Sequence, residues 1–218
     1  MDRKMMASLK QEAKIASERA RLAGMKVYEL KHQDARLICG VDEAGRGPFA
    51  GPVVAGAVIL DPEVEILYLN DSKKLSEKKR SELYDVIMEK AIAVGTGIVD
   101  NHVIDEINIL QATYLAMQQA IGSLDPQPDF ILADAVTIPD IAIPQEGIIK
   151  GDAKSVSIAA ASIIAKVTRD RIMTEYDRQY PEYGFASHKG YGTAAHIKAI
   201  KKYGPLDIHR RTFISKYI

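Results

Sequence analysis

Residues 37–60, LICGVDEAGRGPFAGPVVAGAVIL, set two apolar runs on either side of a turn rich in glycine and proline. Short apolar runs bounded in this way are strands. The first, LICGVDEA (37–44), carries two adjacent carboxylates, Asp42 and Glu43, where it meets the turn. Like charges side by side at the edge of a core repel each other and resist desolvation, so something positive is expected beside them. The second run, VVAGAVIL (53–60), follows at once.

Three more runs have strand character: AIAVGTGIVD (91–100), FILADAV (130–136), which ends on Asp134, and GIIKGD (147–152), which ends near Asp152. Between them the apolar spacing is helical. Ser76 is placed to cap a helix reaching about Lys90, with Leu83, Ile87 and Met88 on one face. Residues 107–122 form a second helix. A long third helix starts at Ser155 and runs through 168–179, and a short basic helix covers 193–203 before Gly204-Pro205. Residues 4–23 form a polar helix that stops near Gly24 and lies outside the main body. Three strands in succession, then strands alternating with helices, predict an α/β chain: a mixed sheet flanked by helices. Ligands of open α/β sheets bind beyond the carboxyl ends of the strands. If these runs are neighbours, Asp42, Glu43, Asp134 and Asp152 converge on one site.

The charge distribution fits that reading and, equally, plain unevenness of surface charge. The chain of 218 residues is neutral overall, with 29 Lys+Arg and 29 Asp+Glu. Residues 1–39 hold 9 basic against 5 acidic side chains, residues 40–149 hold 7 against 18, and residues 150–218 hold 13 against 6. An acidic middle with basic ends fits carboxylates for cations and flanks for phosphates. The single cysteine, Cys39, excludes an internal disulfide and reads as a small buried hydrophobe. There is no apolar run of membrane-spanning length and no signal-like segment at the start, so a cytoplasmic protein is expected.

Four carboxylates can hold two Mg²⁺ or Mn²⁺ ions, an arrangement suited to phosphodiester hydrolysis. The five histidines are scattered and show no zinc spacing. The glycine turn lacks the G-K-[ST] ending of a P-loop, and Pro48 interrupts any dinucleotide-type helix start. Gly45 and Gly47 let backbone groups approach a ligand, and Arg46 between them offers a guanidinium to a phosphate. In DSKKLS, Ser72 and Lys73 can meet phosphate oxygens. In SHKGYGT (187–193), Ser187 and Lys189 can do the same, and Tyr191 can stack on a sugar or base.

GVDEAGRGPFAGPVVAGAVIL closely resembles the signature of the ribonuclease HII family, the type 2 ribonucleases H of bacteria. DSKKLS, ADAV, KGDAKSVSIAAASIIAKVTRD and GYGT resemble its other blocks, in the same order, over about residues 37–215. Arg46 in the turn is closer to ribonuclease HII than to its sister HIII, where lysine is common. The resemblance implies a ribonuclease H-like catalytic part over 37–168 and a C-terminal helical substrate-binding part over 169–218, with residues 1–36 a helical extension outside it. It implies Asp42, Glu43, Asp134 and Asp152 as catalytic metal ligands, and Gly45, Arg46 and Gly47 as readers of the ribose 2′-hydroxyl. It further implies Tyr191 as a sensor of the RNA–DNA junction, and Ser72, Lys73, Ser187 and Lys189 as phosphate contacts. The implied partner is an RNA–DNA hybrid or a ribonucleotide-containing duplex, bound by a monomer. A non-catalytic hybrid-binding module and a nuclease of the same fold acting on branched DNA are the competing readings.

Overall fold

The computed structural model describes residues 3–218. The apolar runs become strands β1 (Ile38–Ala44), β2 (Val53–Ile59), β3 (Ala93–Val99), β4 (Phe130–Asp134) and β5 (Gln145–Ile148), joined in the order β3-β2-β1-β4-β5. β1, β2 and β3 pair antiparallel, while β4 and β5 run parallel to β1. The carboxyl ends of β1, β4 and β5 therefore share one edge of the sheet.

The chain begins with α1 (Arg3–Gly24) and a short α2 (Val27–Lys31), and continues with α3 (Glu77–Lys90), α4 (Asn101–Gly122) and α5 (Val156–Gln179). The C-terminal part holds α6 (Phe185–His188), α7 (Ala194–Tyr203) and α8 (Arg211–Ile214). One sheet face packs on α4 through Cys39, Val41, Ala55, Ala57, Ile131 and Ala133. The other packs on α5, with α3 outside it, through Val58, Ala160, Ile164, Leu83 and Ile87. The valine, leucine and isoleucine side chains among these contribute roughly 1.5–3 kcal/mol each when fully buried. α5 crosses β1 and β2 so closely that a Cβ at Gly40 would lie 2.0 Å from the Ser157 carbonyl carbon, and one at Gly56 would lie 2.5 Å from Ala161 O. These glycines inside strands let the backbones meet. They bring the start of α5 down onto the end of β1.

Several boundaries differ from the sequence expectation. α4 starts at Asn101, capped by Asp100, and the expected start near residue 107 is instead a kink at Asn108 (φ 68°). Asn108 Oδ1 accepts from Leu110 N and Gln111 N and so caps the second part of the helix again. β5 stops at Ile148, and Asp152 lies beyond it in a 3-10 turn, Gly151–Ala153. Asp42 and Glu43 lie within β1, not past its end. Met88, expected on the apolar face of α3, is half-exposed, because that helix buries only Leu83 and Ile87. α5 runs unbroken through 168–169, where the sequence reading divided the chain. Cys39 is fully buried, and burial pushes its thiol up to about 12. Among the described residues no helix is long and apolar enough to cross a membrane.

Candidate active site

Successive side chains of a strand leave opposite faces of the sheet. Val41 and Ala133 face α4, so Asp42 and Asp134, each one residue on, project on the α5 side. Asp152 arrives there from the turn before α5. Carboxylate oxygens of Asp42, Asp134 and Asp152 lie within 4.8 Å of one another. Glu43, the next residue on β1, stands outside this trio, with Oε1 accepting from Arg46 Nη1 at 3.5 Å, but near enough that the charges of Asp134 and Lys73 act on it.

The electrostatics are those of a site built for a cation. Burial pushes the Asp42 carboxyl well above its usual range, and the neighbouring charges of Glu43, Asp134 and Asp152 push the same way. Burial raises Asp152 too, and so do Asp71 and Asp134 beside it. Glu43 is raised by burial, against the pull of Arg46. Burial alone would lower Lys73, but the charges of Asp42, Asp152, Asp71 and Asp134 outweigh it and hold the ammonium above its ordinary value. All the donors are hard oxygens, with no thiolate or imidazole among them. Such a set fits Mg²⁺-type ions and would shed its internal repulsion on binding one.

Asp71 was not singled out in the sequence, where it read as part of a polar loop. Its Oδ1 accepts from Lys73 N at 2.9 Å, and its carboxyl stands near enough to Asp152 to help raise that group. Ser72 is buried in the same turn. Its carbonyl and that of Leu75 accept from Arg80 Nη1, at 2.9 and 2.5 Å, which fixes the turn that carries Lys73.

The glycine turn is held by two buried guanidinium groups. Arg210 donates to Gly51 O, Arg46 O and Gly45 O at 2.6–3.0 Å. Arg169 donates to Pro52 O, Ala50 O and Lys189 O at 2.9–3.1 Å. Burial lowers Arg169 to about 10 and Arg210 to about 9, so both remain cations at neutral pH. Gly45 (φ 100°) adopts a backbone conformation that a side chain would strain. Its position also leaves no room for a Cβ, which would sit 2.1 Å from Arg169 Nε. Phe49 N donates to Gly190 O at 2.8 Å, tying the turn to the GYGT loop. A Cβ at Gly47 would stand 3.6 Å from the Tyr191 ring, so the half-exposed tyrosine flanks the turn. Ser187, exposed on α6, and Lys189, whose ammonium donates to Thr174 Oγ1 at 3.3 Å, stand by α5 outside the acidic trio.

Two histidines that looked scattered in sequence support Tyr191. His196 Nδ1 lies 2.9 Å from Tyr191 O and must donate to it. His196 Nε2 therefore accepts from His209 Nε2, 3.0 Å away, and His209 Nδ1 accepts from Leu206 N at 2.9 Å. This chain has a consistent direction only when both rings are neutral. Burial lowers both to about 4. Between the unfolded value near 6.5 and about 4 the unfolded chain binds more protons, so this part of the stability is complete above pH 6.5 and is lost as pH falls toward 4. An NMR titration is expected to show two imidazoles whose resonances stay fixed between pH 7 and 5. Two fully titrated rings at pH 5 would contradict the assignment.

A mixed sheet whose parallel edge gathers buried acids beside a braced phosphate-type turn defines a metal-dependent endonuclease of ribonuclease H-like fold. The comparisons agree. The chain matches the sequence model of Ribonuclease HII over residues 39–216. It is 64% identical over 201 residues to Ribonuclease HII of Lachnoclostridium phytofermentans, covering 92% of this chain and 79% of that one. It is 56% identical over 207 residues to Ribonuclease HII of Bacillus subtilis, covering 94% and 81%. The crystal structure of ribonuclease H2 from Pyrococcus horikoshii aligns with a TM-score of 0.70 at 32% identity, covering 83% of this chain and 96% of that one. This chain belongs to the ribonuclease HII family.

Proposed function

We propose that this enzyme hydrolyses the RNA strand of RNA–DNA hybrids and cuts on the 5′ side of a single ribonucleotide embedded in duplex DNA, leaving a 3′-hydroxyl and a 5′-phosphate. The observation that carries this reading is the junction of the Asp42, Asp134 and Asp152 trio with the braced Gly45–Gly47 turn and the adjoining Tyr191 ring. Asp42, Asp134 and Asp152, with Glu43, would hold Mg²⁺ or Mn²⁺. Two such ions in the reacting complex would lower the pKa of the attacking water and stabilise the leaving 3′-oxygen.

The chain's own groups do the rest. At such a site only the 2′-hydroxyl separates RNA from DNA, so its reader must be fixed in place. The Gly45–Gly47 backbone meets that need because buried Arg210 anchors the Gly45 and Arg46 carbonyls, while Arg169 holds the Ala50 and Pro52 carbonyls further along the same turn, and together they leave it little freedom to adapt to deoxyribose. Arg46 extends half-exposed from that turn, and its guanidinium, paired with Glu43 at 3.5 Å, would meet a phosphate from its open side. Lys73, held among the acids, meets another. Tyr191 offers its ring to the sugar on the 3′ side. Ser72, Ser187 and Lys189 complete the phosphate path. The acidic trio is complete within one chain, and we take the active species to be a monomer.

A duplex carrying one internal ribonucleotide tests the reading. With Mg²⁺ or Mn²⁺ a single cut 5′ to the ribonucleotide is expected, with none in EDTA and none in an all-DNA duplex. Tight binding without turnover in any divalent metal would favour a hybrid-binding module. Cutting of branched all-DNA substrates would favour another nuclease of this fold.

A further inference from the structure

We propose that Glu29, on the N-terminal extension, is a positioning residue for the Asp134 and Asp152 half of the metal site. The inference rests on reading those two acids as metal ligands. Glu29 lies on α2, outside the segment that carries the family's motifs. Its Oε1 accepts from Ser155 Oγ at 2.6 Å and from Ser157 N at 3.1 Å. Ser155 is the N-cap of α5, and its Oγ in turn accepts from Ile158 N at 3.1 Å. One carboxylate oxygen thus secures the first turn of the helix that follows Asp152, at the end where the peptide dipoles favour negative charge.

The connection continues into the acids themselves. Ser155 N donates to Gly151 O at 2.8 Å. Gly151 N donates to Asp134 Oδ1 at 2.7 Å, and the residue after Gly151 is Asp152. From Glu29 an unbroken run of hydrogen bonds therefore reaches one ligand directly and the backbone of the other. The remaining oxygen, Glu29 Oε2, is buried without a hydrogen-bond partner. An arrangement that leaves it so is unfavourable in itself, and is maintained by what Oε1 holds and by the packing around α2.

That packing is directed at the same corner. Tyr28 packs against the small buried cluster formed by Leu132 on β4, Ile148 on β5 and Ile158 on α5. The His32 ring stacks on Phe130 with centroids 3.9 Å apart, and Lys31 pairs with Glu146 on β5 at 2.8 Å. The extension thus clamps β4, which carries Asp134, and β5 and the start of α5, which precede and follow Asp152. Asp42, on β1, is held independently by its place in the centre of the sheet.

The test is Mn²⁺ binding by titration calorimetry on full-length wild type, Glu29→Ala and Glu29→Gln, with hybrid binding in EDTA and circular dichroism alongside. Loss of a group that orients a metal ligand typically costs about 10–100-fold in metal affinity. Glu29→Ala is expected to weaken Mn²⁺ by about tenfold and to raise the Mn²⁺ needed for half-maximal cleavage in parallel. Hybrid affinity in EDTA should stay at the wild-type value. Glu29→Gln keeps an oxygen that accepts both bonds and should recover most of the Mn²⁺ affinity. Wild-type Mn²⁺ affinity in a folded Glu29→Ala variant would overturn the proposal, as would a loss confined to hybrid binding. If Glu29→Ala does not fold, Ser155→Ala breaks the same connection from the other side, and unchanged Mn²⁺ affinity there would overturn it equally. Absence of Mn²⁺ uptake by the wild type would remove the ligand assignment and the proposal together, an outcome distinct from a failure at Glu29 alone.

Discussion

Replacing Asp42 by Asn is expected to reduce cleavage by at least about 10³-fold, beyond the roughly 10–100-fold typical of losing an outer-shell partner of a metal, while the metal-free protein becomes more stable. The two effects have one origin. Asp42 is buried beside Glu43, Asp134 and Asp152, and burial and their charges hold its carboxyl well above the normal range. In its ionised form it therefore works against the metal-free fold. Asn keeps the shape and can still accept the 2.7 Å bond from Glu43 N, but carries no charge. Each kcal/mol of repulsion removed is expected to raise Tm by about 2–4 °C in a chain of this size. Acidification should close the gap, because protonated Asp42 in the wild type then resembles Asn. Added Mn²⁺ should reverse the order: a ligand at 100 times its Kd stabilises by about 2.7 kcal/mol, and the variant binds it poorly. Calorimetric scans with and without Mn²⁺, beside a cleavage assay, check all of this. A metal-free Tm below that of wild type would show that Asp42 is satisfied by its surroundings and has no need of a cation.

How much of this was legible in the sequence depended on whether a residue's partners lay along the chain or across it. The β1 and β2 runs, the turn between them and Asp134 at the end of β4 were legible, because strand boundaries are marked by local glycine, proline and polarity. Asp152 was found for an inexact reason: its run read as a strand ending in an acid, whereas β5 stops four residues earlier and a 3-10 turn presents the side chain. Adjacency in sequence was an incomplete guide: Glu43 stands outside the trio and pairs with Arg46, although the charge of Asp134 still acts on it. Asp71 was hidden by its other role as a turn cap. Arg169 and Arg210 carried no sequence signal, because their partners are backbone carbonyls from distant loops and carbonyls leave no trace in side-chain pattern. His196 and His209 are 13 positions apart and meet only through the fold of α7 and the loop after it. Glu29 had no motif to mark it, because its partners, Ser155 and Ser157, lie more than 120 residues away.

The buried arginines carry the second large effect. Arg210 is fully buried and spends its guanidinium on three backbone carbonyls, those of Gly45, Arg46 and Gly51. Arg210→Ala leaves these oxygens without their donors at a cost of roughly 1–3 kcal/mol for each one that water does not reach, and also opens a cavity. Together these are expected to destabilise the protein by about 3–5 kcal/mol, the range seen when one partner of a buried charged network is removed. At about 2–4 °C per kcal/mol that is a fall in Tm of roughly 10 °C. Lysine should not rescue it, because a single ammonium cannot reproduce the planar fork that spans three acceptors. The functional loss should be selective. The Gly45–Gly47 turn loosens while the Asp42, Asp134 and Asp152 trio, anchored by β1, β4 and α5, keeps its place. Below the lowered Tm, Mn²⁺ affinity should therefore stay near wild type while cleavage at a single ribonucleotide falls and its KM rises. The contrast with Asp42→Asn is the sharp part: one variant keeps the stability and loses the metal, the other keeps the metal and loses the stability. If Arg210→Ala instead lost Mn²⁺ affinity and left Tm unchanged, the guanidinium would be acting on the ion site, and its carbonyl contacts would be incidental.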